Sequence, residues 1–96
     1  MSVQATIDDI YEALGRVIDP ELGVDIVTLG LVYEVSFVDG VVAVKFTLTT
    51  RGCPLEYAIR GGILATVSPL PGVSEVVPKL VWSPPWDPRR VKDGVF

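Results

Sequence analysis

Few residues of this chain are suited to chemistry, and one stretch holds most of them. Thr47-Leu48-Thr49-Thr50-Arg51-Gly52-Cys53-Pro54-Leu55 reads as a strand end, a tight glycine-containing loop and the start of a helix. Cys53 is the sole cysteine. Pro54 suits the first helical position, because it has no N–H to lose there and its φ is already near the helical value. Cys53 is then expected as the N-cap. That puts a thiol at the positive end of the helix dipole, a setting that lowers a cysteine pKa. Arg51 pushes the same way. Glu56, at the third helical position, opposes it by like charge or completes a capping box. The plainer reading of Cys53 is a small buried hydrophobe, as most free cysteines are. Both readings stand on the residues alone.

The remaining candidates are weaker. Asp19, Glu21 and Asp25 form an acidic loop that could supply carboxylate ligands or a proton acceptor. The expectation for them is a solvated turn after Pro20, which ends the preceding helix. Thr47, Thr49 and Thr50 are either exposed strand residues or, for the last two, hydrogen-bonding supports of the loop that presents Cys53. Trp82 and Trp86 read as core or lid. The chain has no histidine, which removes Ser–His–Asp and Cys–His nucleophilic schemes and all histidine metal sites. With no second cysteine there is no CxxC zinc site and no resolving thiol. An iron–sulfur cluster is normally held by four thiolates. Cys53 is the one thiolate candidate for a metal ligand, so no stably bound cofactor is expected. Any cluster would be transient: shared with a partner, completed by carboxylates or small thiols, or held in passage.

The 96 residues suffice for one domain, 1–96, with a core from about 7 to 88. An apolar fraction of 49% against 21% charged residues places it among folded globular chains. Net charge is −4 and the basic residues are scattered, so tight binding to nucleic acid is not expected. No apolar run is long enough to span a membrane, and the first residues do not resemble a signal peptide. A cytoplasmic location, where a lone thiol stays reduced, is the expectation.

These residues need elements to hold them. Thr6 and Asp9 form an expected capping box for an amphipathic helix over roughly 7–17, with Ile7, Ile10, Tyr11, Leu14 and Ile18 at helical spacing. A long turn-rich segment follows, from Asp19 to Gly30. Residues 31–38 and 41–48 alternate as two strands joined by Asp39-Gly40, a two-residue hairpin turn. Pairing outward from Val38 and Val41 puts Leu31, Tyr33, Val35, Phe37, Val42, Val44, Phe46 and Leu48 on one apolar face. Glu34, Ser36, Lys45 and Thr47 fall on the other, with Glu34 opposite Lys45. Residues 54–67 predict a second helix with Leu55, Ile59, Ile63 and Val67 inward. Gly62 is expected at a close approach to the sheet or the first helix; Gly61 has no evident reason. Residues 73–82 read as a third strand, at an edge or bulge because of Pro78. Ser83-Pro84-Pro85-Trp86-Asp87-Pro88 excludes regular structure and is expected to run extended over the sheet.

Taken together, Asp19-Pro20-Glu21-Leu22-Gly23, Ile26-Val27-Thr28-Leu29-Gly30-Leu31-Val32-Tyr33, Thr49-Thr50-Arg51-Gly52-Cys53-Pro54-Leu55, Leu70-Pro71-Gly72-Val73 and Pro84-Pro85-Trp86 resemble the MIP18 family, formerly DUF59. The blocks follow the family's order from about residue 7 to 88. The resemblance implies an α+β, two-layer α/β sandwich of order α-β-β-α-β(-β), similar to the α-lytic protease prodomain. Its mixed sheet of three or four strands would carry two helices on one face. It also implies a role in iron–sulfur protein maturation, like the SufT-like bacterial proteins, with assembly machinery and client apoproteins as partners. Carried onto this chain, the reactive cysteine falls on Cys53, the acidic loop on Asp19 and Glu21, and the supporting threonine on Thr49. Thr50, Arg51, Gly52 and Pro54 complete the loop. Arg51 departs from the small or proline residue of the family pattern. The additional cysteine-rich part of PaaD-type relatives is absent, which argues against a phenylacetate role.

The expected function is an auxiliary, non-enzymatic factor in iron–sulfur cluster assembly or delivery. The alternative is an adaptor module, such as a PaaD-like component of a multiprotein oxygenase system, in which Cys53 is structural. Sheet edges invite pairing, so a homodimer is a further expectation.

Overall fold

The Asp39-Gly40 turn folds with both residues in the left-handed region, at φ 51° and 79°. This is the conformation whose twist matches two paired strands. It joins β1 (Val32–Val38) to β2 (Val41–Phe46), antiparallel, with Val38 opposite Val41 and Glu34 opposite Lys45. The Glu34 and Lys45 charges lie 3.6 Å apart in solvent and mark the register more than they stabilise it. The structure is a computed structural model that describes residues 4–49 and 53–87.

Val42, Val44 and Phe46 are fully buried, and Val35 and Phe37 pack against them. The strands are shorter than the expected 31–38 and 41–48. The reason is a register shift between Val32 and Glu34: Val32 faces Phe46, and Tyr33 is the extra residue of a bulge. Leu31 and Leu48 are buried beside the sheet without extending it.

α1 (Ile7–Leu14) opens on the expected capping box. Asp9 N–H donates to Thr6 Oγ1 at 3.2 Å, and Thr6 N–H donates to Asp9 Oδ2 at 2.9 Å. The helix stops short of residue 17. Arg16 and Val17 instead donate to the carbonyls of Ala13 and Leu14, the tighter bonds of a closing turn. α2 (Cys53–Val67) buries Leu55, Ile59, Ile63 and Val67 as its spacing predicts. Gly62 faces Val17: a Cβ there would stand 2.7 Å from Val17 Cγ1, whereas one on Gly61 would meet nothing within 4 Å.

β3 (Glu75–Leu80) runs parallel to β2, from Val41 opposite Glu75 to Phe46 opposite Leu80. Among the described residues the sheet has three strands in the order β1-β2-β3. Pro78 therefore lies on an edge strand, where the absent N–H is tolerated. Its carbonyl accepts from Arg60 Nη1 at 2.8 Å, tying α2 to β3. Both helices pack on the apolar side of the sheet around one core, a small α+β domain with a mixed sheet. No helix among the described residues is long and apolar enough to cross a membrane.

Candidate functional site

The two ends of the domain differ in kind. At one end the connections are tight: the hairpin turn at residues 39–40, and the 68–74 turn after α2, where Ser74 N–H donates to Gly40 O at 2.7 Å. The start of α1 lies there too, with Ala5 N–H on Pro71 O at 2.8 Å. At the other end three irregular passages meet. They are the connection from α1 to β1, the chain leaving β2, and the chain leaving β3. Parallel pairing of β2 and β3 is what brings the last two exits to the same end.

Asp19 heads the first passage. Its Oδ1 accepts from Glu21 N–H at 2.8 Å and Leu22 N–H at 3.3 Å. Its own N–H donates to Val24 O, and its carbonyl accepts from Gly23 N–H. Gly23 has φ 70°, and nothing lies within 4 Å of where its Cβ would be. It is there for its backbone conformation alone. The expectation of a solvated turn fails for Asp19, which is fully buried, and holds for Glu21, which is exposed. The reason is local: the carboxylate folds back onto the amides two and three residues ahead, and the turn closes over it. Asp19 Oδ2 is left buried without a hydrogen-bond partner. Asp25 is not a free ligand either. Its Oδ2 accepts from Thr28 N–H at 2.9 Å and caps the next turn.

Thr47 corrects a second expectation. Strand alternation places it on the outer face with Lys45, yet it is fully buried, and its Oγ1 has no hydrogen-bond partner. β2 ends at Phe46, so strand alternation no longer governs the residues after it, and both Thr47 and Leu48 lie inside. Buried polar atoms are nearly always paired, so orphaned ones point to a special role. Among the described residues the orphaned buried side-chain atoms are those of Asp19 and Thr47.

Thr49 is half-buried and Pro54 exposed. Thr50, Arg51 and Gly52, and the side chain of Cys53, lie outside the described residues, as do residues 88–96. The helix starts at Cys53 itself, so the cysteine is the first helical residue and not the N-cap. It still stands where the helix N–H groups are unpaired and the dipole is positive. Glu56 Oε2 accepts from Arg60 Nη2 at 2.8 Å, one helical turn on. No group of three or more thiol, carboxylate or imidazole side chains gathers around a metal position among the described residues.

The chain leaving β3 crosses this end as a strap. Trp86 Nε1 donates to Leu29 O at 2.7 Å, and Tyr33 Oη donates to Pro84 O at 2.7 Å. Trp82 and Trp86 both pack against the core. The sequence expects this segment to be irregular and to run extended over the sheet, with its tryptophans as core or lid, but does not indicate the carbonyl and hydroxyl partners that fasten it.

The fold defines the class first. It matches the solved structure of Conserved Hypothetical Protein TM0487 from Thermotoga maritima with a TM-score of 0.83 and 41% identity, over 95% of this chain and 90% of that one. The chain belongs to the family described as iron-sulfur cluster assembly protein, whose model matches residues 7–77. It is 45% identical over 84 residues to the Fe-S protein maturation auxiliary factor YitW of Bacillus subtilis, covering 86% of this chain and 82% of that protein. It is 48% identical over 71 residues to the auxiliary factor SufT of Staphylococcus aureus, covering 73% and 81%.

Proposed function

We propose that this protein is an auxiliary factor in iron–sulfur protein maturation and acts through Cys53. It serves as a handover point and does not turn over a substrate of its own. The carrying observation is the place of the sole cysteine at the first turn of α2, at the end of the domain where the irregular passages gather. A thiolate is favoured there by the helix N-terminus. One thiolate is too few to retain a cluster, so the cluster is cargo whose remaining ligands come from a donor or a client protein. Asp19 and Thr47 are buried on two of these passages, and Glu21 is exposed on the first. The partners are the assembly machinery and apoproteins of the cytoplasm.

The test is Cys53→Ser, introduced into cells lacking the native copy, with the activities of their iron–sulfur enzymes measured. Loss of rescue is expected. Full rescue by the serine variant would defeat the thiol reading and favour an adaptor role.

A further inference from the structure

The two orphaned buried atoms, Asp19 Oδ2 and Thr47 Oγ1, sit on segments far apart in sequence, and one short piece of chain holds both. Leu31 is the joint. Its carbonyl accepts from Thr47 N–H at 2.9 Å, and its N–H donates to Ile26 O at 2.9 Å. Ile26 N–H donates to Val17 O, while Asp25 bridges Ile18 and Val24 O receives Asp19 N–H. Leu29 N–H donates back to Asp25 O at 3.1 Å. The Leu29–Leu31 segment thus holds the Asp19 turn on one side and the exit of β2 on the other. Leu29 and Leu31 are both fully buried. What holds this segment from outside is the strap: the Trp86 indole N–H on the Leu29 carbonyl, backed by Tyr33 Oη on Pro84 O.

We infer that Trp86 is a positioning residue of the site, which through the Leu29 carbonyl keeps the Asp19 turn and Thr47 in fixed relation. The tether is a single directional hydrogen bond to a buried acceptor, and no other part of the indole can replace it. Trp86 reaches Leu29 across 57 residues of sequence. Losing the bond while an aromatic ring still packs on the core is expected to free the segment and leave the α2–sheet core in place. The inference takes from the proposed iron–sulfur role what the site is for, and from geometry alone how the site is held.

Trp86→Phe keeps an aromatic ring and removes the N–H. Hydrogen exchange at the amides of Asp19, Leu31 and Thr47 is expected to accelerate about tenfold or more, with Ile59 and Ile63 within about twofold of the wild type. Rescue of iron–sulfur enzyme activity in cells lacking the native copy is expected to fall with it. Tyr33→Phe removes the second tether and is expected to give the same pattern at smaller amplitude; it carries the test if Trp86→Phe does not fold. Unchanged exchange, or acceleration spread evenly over the chain, overturns the inference. Local acceleration with wild-type rescue also overturns it, since the clamp would then be structural only. Cys53→Ser, measured in parallel, tests the thiol reading separately. Its outcome does not alter how the exchange pattern and rescue of Trp86→Phe are judged.

Discussion

Gly61 and Gly62 are adjacent in one helix, and the structure predicts opposite effects for the same substitution. Alanine in a helix interior is worth about 1 kcal/mol over glycine. Gly61 is exposed, and a Cβ there meets nothing within 4 Å, so Gly61→Ala is expected to stabilise by about that amount. At Gly62 the new Cβ would come 2.7 Å from Val17 Cγ1, inside any normal contact. Val17 cannot step aside easily. It is 4% exposed, its side chain is stiff at χ1, and its backbone bonds Leu14 O and Ile26 N–H. Overpacking of this kind costs about 1–3 kcal/mol, enough to cancel or exceed the propensity gain. The gap between the two variants is that same 1–3 kcal/mol, which at 4–8 °C per kcal/mol separates their melting temperatures by at least about 4 °C. Thermal and urea unfolding followed by circular dichroism measure both. Val17→Ala in the Gly62→Ala background should recover stability with a coupling of about 1 kcal/mol. If Gly62→Ala stabilises as much as Gly61→Ala, the close approach of α2 to Val17 is wrong.

Two further substitutions probe the site end and the helix–sheet tie. Thr47→Val removes a buried hydroxyl that has no partner while keeping its shape. It should raise the urea midpoint, by about 1 kcal/mol in stability, and lower rescue of iron–sulfur enzymes; a stability loss would mean that the hydroxyl is paired. Arg60→Ala removes the bonds to Pro78 O and Glu56 Oε2 and the guanidinium 5.7 Å from the Phe46 ring centroid. A loss of about 1–2 kcal/mol is expected in chemical denaturation, and Arg60→Lys should recover only part of it, because one ammonium does not reproduce the planar fork.

Which parts of this architecture the chain announces follows from how local their causes are. The hairpin is legible because Asp39-Gly40 and a period of two settle it within eighteen residues, down to Glu34 facing Lys45. The second helix is legible from its apolar spacing, although its first residue is Cys53 and not Pro54. Asp19 is misjudged because its burial depends on the backbone ahead curling back to meet its carboxylate, which composition does not encode. Thr47 is misjudged because β2 ends one residue before it, and the alternation that placed it outside ends there too. The strap's attachment requires Trp86 to find a carbonyl far back in the chain, and nothing near Trp86 specifies that partner.

The parallel pairing of β2 with β3 also gives the molecule a direction. The hairpin turn stands about 20 Å from the end where β2 and β3 exit, the length of a six-residue strand. The turn is short, and its Gly40 carbonyl is held by Ser74 and Glu75. A label, a surface linkage or a grafted segment placed at Asp39-Gly40 would therefore leave the opposite end facing outward and unobstructed. The domain can be held by one pole while the other stays open.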